Sequence, residues 1–162
     1  MQNAAGHSSD PAAHVLQCYG DMLFRIALIL LGKEQDAEDA VQETLLKYLQ
    51  KAPRFESADH EKAWLIRVVT NQCHDMQRFR LRHPQVPLCT LTHYVSDSES
   101  SSIVEALMAL PEKFKVVLFL YYVEQYHVEE IAGIIGRSSS AVKMRLQKGR
   151  KLLEAQYRKE CL

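Results

Sequence analysis

The stretch that decides the fold spans residues 129–154 and reads EEIAGIIGRSSSAVKMRLQKGRKLLE. Apolar residues recur at i, i+3, i+4 and i+7 around its start, as in a short amphipathic helix: Val128, Ile131, Ala132 and Ile135. Gly136 can then adopt the left-handed backbone conformation that a sharp turn needs. Ser138 is placed to cap a second helix. The sequence therefore predicts two helices joined by a tight turn.

The predicted second helix has one narrow apolar stripe, formed by Val142, Leu146, Gly149 and Leu153. Mostly polar residues face away from this stripe, with Arg145 and Arg150 at its flanks: Lys143, Met144, Gln147, Lys148 and Lys151. In a helix-turn-helix, the first helix braces the second, which enters the DNA major groove by its N-terminal end. The geometry alone also fits a helical hairpin with a charged outer face.

The charge distribution favours DNA binding. The 162 residues include 20 Lys and Arg and 20 Asp and Glu, so the formal net charge is zero. Residues 137–162 hold eight basic and two acidic residues (+6), and residues 84–136 hold two basic and seven acidic residues (−5). Residues 59–83 hold five basic and three acidic residues (+2). Two basic zones separated by an acidic zone indicate two places where a polyanion binds.

Helical periodicity recurs along the whole chain, and no convincing strand is present. The predicted helices span residues 11–31, 35–51, about 61–82, 103–109, 114–122, 128–135 and 139–157. Gly32 is expected to end the first helix and Asp36 to cap the second. Residues 84–102 are rich in Pro, Ser and Thr and predict a flexible linker. The predicted fold class is all-α, with two small helical domains at 11–83 and 103–162.

The sequence argues against membrane insertion and secretion. Its longest apolar run, residues 26–31, is much shorter than the ~20 residues that span a bilayer. The N-terminus lacks the basic and then apolar pattern of a secretory signal. We therefore expect a cytoplasmic protein.

The chemistry-bearing residues do not form a recognisable catalytic or metal motif. Cys73-His74 and Cys89-His93 only loosely resemble zinc-ligand spacing, because no CxxC pair exists. No Ser/His/Asp group, paired carboxylates or glycine-rich phosphate loop is apparent. We expect no catalytic residue, no metal and no cofactor, and hence not an enzyme.

The stretch 129–154 resembles the C-terminal helix-turn-helix of extracytoplasmic-function (ECF) sigma factors, small members of the sigma-70 family, and ALPEKFKVVLFLYYVE at 109–124 resembles the helices before it. The matching residues are Leu110, Pro111, Glu129, Ile131, Ala132, Gly136, Ser138, Val142, Lys143, Arg145 and Leu146. Arg137, Ala141 and Met144 depart from the family pattern at the DNA-facing end, so the preferred promoter sequence does not carry over. The residues expected to bind the −35 element are Ser138, Ser139, Ser140, Lys143, Met144, Arg145, Gln147 and Lys148.

A second stretch, DAEDAVQETLLKYLQKAPRF at 36–55, has an apolar Leu46 among acidic and amide groups on its outer face. An apolar anchor with a polar rim suits a protein interface, although a single exposed leucine is also normal. The stretch resembles the sigma-factor segment that docks on the coiled coil of the largest-subunit clamp of RNA polymerase. The residues expected to dock are Asp36, Asp39, Gln42, Glu43 and Leu46.

A third stretch, AWLIRVVTNQCHDMQRFRLR at 63–82, places a cation, an amide, an imidazole and a cation along one helix face, which suits a single nucleic-acid strand. It resembles the family segment that recognises the −10 element and holds non-template bases, and the preceding residues 54–62 resemble the loop that cradles a flipped-out base. Phe55 and Trp64 belong either to that pocket or, as we favour, to the core. The residues expected to hold the strand are Lys62, Arg67, Asn71, His74, Arg78 and Arg82.

The resemblance implies a promoter-specificity subunit with three partners: core RNA polymerase, promoter DNA and a cognate anti-sigma factor. The first domain would dock on polymerase and melt the −10 region, and the second would bind the −35 element. One alternative is a stand-alone helix-turn-helix regulator with a helical dimerisation domain. A second alternative is a helical adaptor that binds only protein.

Overall fold

The computed structural model describes residues 10–82 and 98–160, with side chains over 10–80 and 102–159. Within these ranges the chain forms seven α-helices and no strand, which confirms the all-α prediction. The helices are α1 (Pro11–Leu31), α2 (Glu34–Lys51), α3 (Ala58–Arg82), α4 (Ser98–Met108), α5 (Glu112–Tyr122), α6 (Val128–Ile135) and α7 (Ser139–Glu160).

Helices α1, α2 and α3 pack on one another and form the first module. Leu23 of α1 and Leu65, Ile66 and Val69 of α3 are completely buried. Of the described helices, α1 alone is long and apolar enough to cross a membrane, by length and composition. Nine of its residues are buried inside the protein. Gly32 ends α1 in the left-handed conformation (φ 77°), as predicted.

The start of α2 differs from the prediction that Asp36 caps it. The helix begins at Glu34, and its N-cap residue, Lys33, makes no side-chain capping bond. Asp36 instead forms an ion pair with Arg80 of α3. The Asp36 carboxylate, which local sequence rules assign to helix capping, is therefore used in a tertiary contact between α2 and α3.

Helix α3 begins three residues earlier than expected because Ser57 caps it. The Ser57 hydroxyl accepts a hydrogen bond of 3.1 Å from the backbone N–H of His60. The added turn brings Asp59 and His60 onto the helix.

Helices α4 to α7 form the second module. Helix α4 begins at Ser98 rather than at 103, so the last five residues of the predicted linker are helical. The seven residues 114–120 of α5 are all buried, because α5 packs against α1, α6 and α7. This burial explains why so apolar a run is a helix here. Gly149 of α7 permits close packing, since a Cβ there would approach Leu118 Cδ1 to 3.2 Å.

The turn between α6 and α7 has the predicted geometry. Gly136 adopts φ 68° and ψ 40°, in the left-handed region. The Ser138 hydroxyl accepts a 3.1 Å hydrogen bond from the N–H of Ala141. Both features confirm the sequence-based prediction of a sharp turn followed by a capped helix.

We expect Gly136→Ala to destabilise the protein by about 1–2 kcal/mol, because the left-handed conformation brings Cβ close to the carbonyl oxygen. Gly136→Asn should lose less than half of that, because asparagine tolerates this region. Urea denaturation followed by circular dichroism measures both. Equal stability of the alanine and asparagine variants would show that the turn does not require the left-handed conformation.

The two modules pack directly against each other. Helices α5 and α6 contact α1 and α3, and the buried hydrophobic core is continuous across the contact. Lys115 of α5 is buried here, and its Nζ donates a 3.3 Å hydrogen bond to the carbonyl of Ile29 in α1. Burial lowers the pKa of Lys115. Neither periodicity nor charge along the chain indicates this direct packing.

Candidate polymerase and nucleic-acid interfaces

The outer face of α2 is an exposed stripe with an apolar centre. Asp39 and Gln42 are exposed, Glu43 is half-buried, and the Leu46 side chain is 51% exposed. Leu49, which the sequence analysis did not include, is 52% exposed and lies three residues after Leu46 on the same face. The spacing of three residues between Leu46 and Leu49 is the sequence feature that could have identified Leu49 as part of this face. We call Asp39, Gln42, Leu46 and Leu49 the α2 stripe.

Asp36 is less accessible to a partner protein than the α2 stripe. Its carboxylate is engaged by Arg80, and its side chain is 21% exposed. We therefore assign Asp36 a role in fixing α2 against α3.

The polar face of α3 is accessible along most of its length. Arg67, Asn71 and Arg78 are exposed, and His74 is half-buried. Arg82 lies in the last turn of α3, and its side chain falls outside the described part of the chain. We call Arg67, Asn71, His74 and Arg78 the α3 row. Asn71 is therefore accessible from solvent.

The second module lies against part of this face. The His74 imidazole is in ion-pairing contact with Glu112 of α5. Lys62 Nζ lies 3.5 Å from Glu124 Oε2 and 5.3 Å from the ring centroid of Tyr126. The Arg67 guanidinium lies beside Gly136, 3.5 Å from where a Cβ would stand. Two of the residues expected to hold the strand are therefore paired with the second module.

The aromatic residues at the start of α3 form a cluster. Phe55 stacks on Tyr48 with ring centroids 6.1 Å apart and meets Trp64 edge-on at 5.7 Å. The Tyr48 hydroxyl donates a 2.6 Å hydrogen bond to Glu61, which raises the pKa of Tyr48 to about 12. Phe55 and Trp64 are both half-buried and pack on other rings, in line with the core role favoured from the sequence.

The outer face of α7 is exposed and cationic. Ser140, Lys143, Met144, Gln147 and Lys148 are exposed, whereas Val142 and Leu146 are buried under them against the module core. Met144 is 70% exposed, which is unusual for so large an apolar side chain.

Ser138, Ser139 and Arg145 differ from the rest of the predicted duplex-binding set. The hydroxyl of Ser138 accepts the capping hydrogen bond of α7, and the residue lies at the exposed start of the helix. Ser139 and Arg145 are half-buried, and burial followed by the nearby Arg137 charge lowers the pKa of Arg145. Of Arg145 and Gln147, Gln147 is the more exposed.

Cys73 is unsuited to metal binding in this conformation. It is buried, and burial raises the pKa of its thiol to about 12. Cys89 and His93, its loose partners in the sequence, lie outside the described residues. In residues 10–82 and 98–160, no group of three or more His, Cys, Asp and Glu side chains could hold a metal ion.

Two family models match the chain in succession. The model of sigma-70 region 2 matches residues 15–83, and that of sigma-70 region 4 matches residues 100–153. The two modules, with region 2 followed by region 4, therefore define a protein of the sigma-70 class.

Individual relatives narrow the class. The ECF RNA polymerase sigma factor SigW of Bacillus subtilis (strain 168) is 27% identical over 170 aligned residues, covering 92% of this chain and 90% of SigW. The RNA polymerase sigma factor SigV of the same strain is 28% identical over 143 residues, covering 86% of each chain. The sigma factor RpoE, solved in complex with the anti-sigma factor NepR from Bartonella quintana, is 26% identical with a TM-score of 0.76, covering 90% of this chain and 95% of RpoE. The chain belongs to the ECF sigma factors of the sigma-70 family.

Proposed function

We propose that this protein directs core RNA polymerase to specific promoters, where it recognises the −35 element and opens the −10 element. The observation that carries the proposal is the presence of two different DNA-compatible surfaces on one chain. The α3 row suits a separated strand, and the outer face of α7 suits a duplex major groove. A stand-alone regulator needs only the second surface.

The α2 stripe is proposed to dock on the coiled coil of the polymerase clamp. Leu46 and Leu49 are each about half exposed and supply the apolar centre, and Asp39 and Gln42 supply a polar rim. An apolar centre surrounded by polar groups is the usual arrangement of residues that dominate binding energy. Helix α3 packs on the inner side of α2. Docking of α2 would therefore hold α3 close to the melted strand.

The α3 row is proposed to hold the non-template strand of the −10 element. The Asn71 amide can donate to and accept from a base edge, and Arg67 and Arg78 attract phosphates or stack on bases. Extruding a base costs a few kcal/mol of stacking and pairing. Binding of the extruded bases offsets this cost, so opening requires no hydrolysis by this chain and no catalytic residue.

Helix α7 is proposed to bind the −35 element. Lys143 and Lys148 lie on its exposed face and attract phosphates, while Gln147 is free to contact base edges. The basic groups make duplex affinity depend on salt. Because the whole chain is neutral, we expect weak DNA binding by the free protein and strong binding only within the polymerase complex.

The remaining parts of the proposal concern partners and place. We propose that a cognate anti-sigma factor binds the chain, as NepR binds RpoE, and that the protein acts in the cytoplasm beside polymerase. The sequence-based division into domains at 11–83 and 103–162 is also proposed, with residues 98–102 belonging to α4 of the second domain rather than to the linker. It accommodates the separate positions of the two promoter elements on DNA.

Reconstitution tests the proposed function. The full chain is mixed with core RNA polymerase and fragmented genomic DNA, and transcript start sites are sequenced. We expect starts at a defined set of positions that share a −35 and a −10 sequence. Initiation that is random, or the same as with core polymerase alone, would reject the sigma-factor assignment.

Asn71→Ala separates a sigma factor from a stand-alone regulator. We expect the variant holoenzyme to bind a fork-junction promoter with a single-stranded −10 element about 5- to 30-fold more weakly, because a base then has no hydrogen-bond partner at this position. Affinity for core polymerase serves as the control and should not change. Full fork-junction affinity in the variant would favour the stand-alone regulator, which makes no use of α3 at DNA.

A further inference from the structure

Glu124 joins the two modules through two cations. It lies between α5 and α6, and its side chain is only 9% exposed. Its Oε1 lies 3.4 Å from Arg25 Nη2 of α1, and its Oε2 lies 3.5 Å from Lys62 Nζ of α3. One carboxylate thus bridges two cations of the first module.

This arrangement matches the way proteins hold a phosphate. A phosphodiester, like a carboxylate, shares one negative charge between two oxygens on one atom, and Arg and Lys side chains converge on such a pair. Arg25 and Lys62 remain 54% and 31% exposed, so both are reachable once Glu124 leaves. Because the Glu124 carboxylate is nearly buried against both cations, it and a phosphate cannot occupy the pair at the same time.

A second carboxylate of the same module repeats the pattern. Glu112 of α5 contacts His74 of the α3 row. Lys62 and His74 lie on the same helix and were both expected to hold the strand. Two acidic groups of the second module therefore occupy positions beside groups that the DNA strand needs.

We propose that Arg25 and Lys62 form a phosphate-binding pair for the separated promoter strand, and that Glu124 occupies this pair while the two modules are packed together. The proposal rests on the proposed function and adds Arg25 to the strand-binding residues. Strand binding and module packing exclude each other at this point. The chain thereby limits its own DNA affinity until polymerase draws the modules apart.

The free protein tests the occupancy of the pair. A fluorescein-labelled single-stranded DNA of about 20 nucleotides is titrated with the full chain, and fluorescence anisotropy is recorded at several salt concentrations. We expect Glu124→Gln to bind about fivefold more tightly than the native chain. Its plot of log affinity against log salt should be steeper by about 0.7, the value for one additional neutralised phosphate on a single strand.

Two further variants separate the pair from general charge effects. Glu129→Gln removes the same charge from an exposed position of α6 and should change the affinity less than about twofold. Arg25→Ala added to Glu124→Gln should return both the affinity and the salt slope to the native values. Native affinity in Glu124→Gln, or persistent tight binding after Arg25→Ala, would overturn the proposal.

The holoenzyme gives an independent result. With the modules apart on polymerase, Arg25→Ala should weaken binding to a fork-junction promoter about fivefold, and Glu124→Gln should leave it unchanged. Unchanged binding by Arg25→Ala would overturn the phosphate pair. Failure of the native chain to start transcription at defined sites would instead reject the sigma function, whatever the free chain does with single-stranded DNA.

Discussion

Leu46→Glu is expected to weaken the affinity of this chain for core RNA polymerase by about 30- to 1,000-fold. Replacing a central apolar anchor by a charge removes its burial and leaves a carboxylate without a partner, at a cost of about 2–4 kcal/mol. The fold should survive, because the side chain is half exposed on the outer face of α2. Fluorescence anisotropy of labelled protein titrated with core polymerase measures the loss.

Leu16→Glu is the matched control for that experiment. Leu16 is also 51% exposed, but it lies on α1 rather than on the α2 stripe. We expect this variant to bind polymerase within about threefold of the native chain, since surface changes outside an interface cost about 0.5 kcal/mol or less. Native affinity in Leu46→Glu, or equal losses in both variants, would remove the α2 stripe as the docking face.

Reversing Lys143 and Lys148 to Glu together should abolish recognition of the −35 element. We expect transcription from a promoter that depends on this element to fall about 100-fold, because two attractions to phosphates become repulsions. The salt dependence of duplex binding by the holoenzyme should also weaken by about 1.8 in slope, since each phosphate that is no longer neutralised accounts for about 0.9. Run-off transcription and filter binding at several salt concentrations provide the two measurements.

The double reversal of Lys151 and Lys159 makes the same charge change elsewhere on α7. These exposed lysines lie about 12 and 24 Å farther along the helix than Lys143, away from the end that enters the groove. We expect losses of less than about fivefold. If both double variants lose activity equally, the lysines of α7 attract DNA only through their overall charge, and α7 has no defined docking position on the duplex. If neither loses any, the protein-only adaptor is favoured.

Local features were predictable from the sequence because each depends on only a few neighbouring residues. Gly136 and Gly32 end helices in the left-handed conformation, which glycine adopts without steric cost. Ser138 caps α7 through a bond to a residue three positions away. Periodicity also separated the buried stripe of α7 from its exposed cationic face, so this exposed face was largely predictable.

The prediction of the α2 cap was wrong because a distant partner competed with a local rule: Arg80 of α3 engages the Asp36 carboxylate. His74 and Lys62 remain predicted strand contacts, but each also meets a carboxylate of the second module, Glu112 or Glu124, which the sequence did not indicate. Side-chain type and spacing do not reveal such partners, since an ion pair requires only that packing brings the charges close together.

The sequence by itself determined the helices, the turn at Gly136 and the faces that point toward solvent, because hydrophobic period and backbone preference are local properties. Tertiary structure alone decided how the two modules lie on each other. It placed Glu124 against Arg25, 99 positions earlier in the chain, and it buried Lys115 beneath α1. An apolar face requires burial, but its pattern does not specify which surface covers it. That choice depends on shape and charge complementarity between elements distant in the chain.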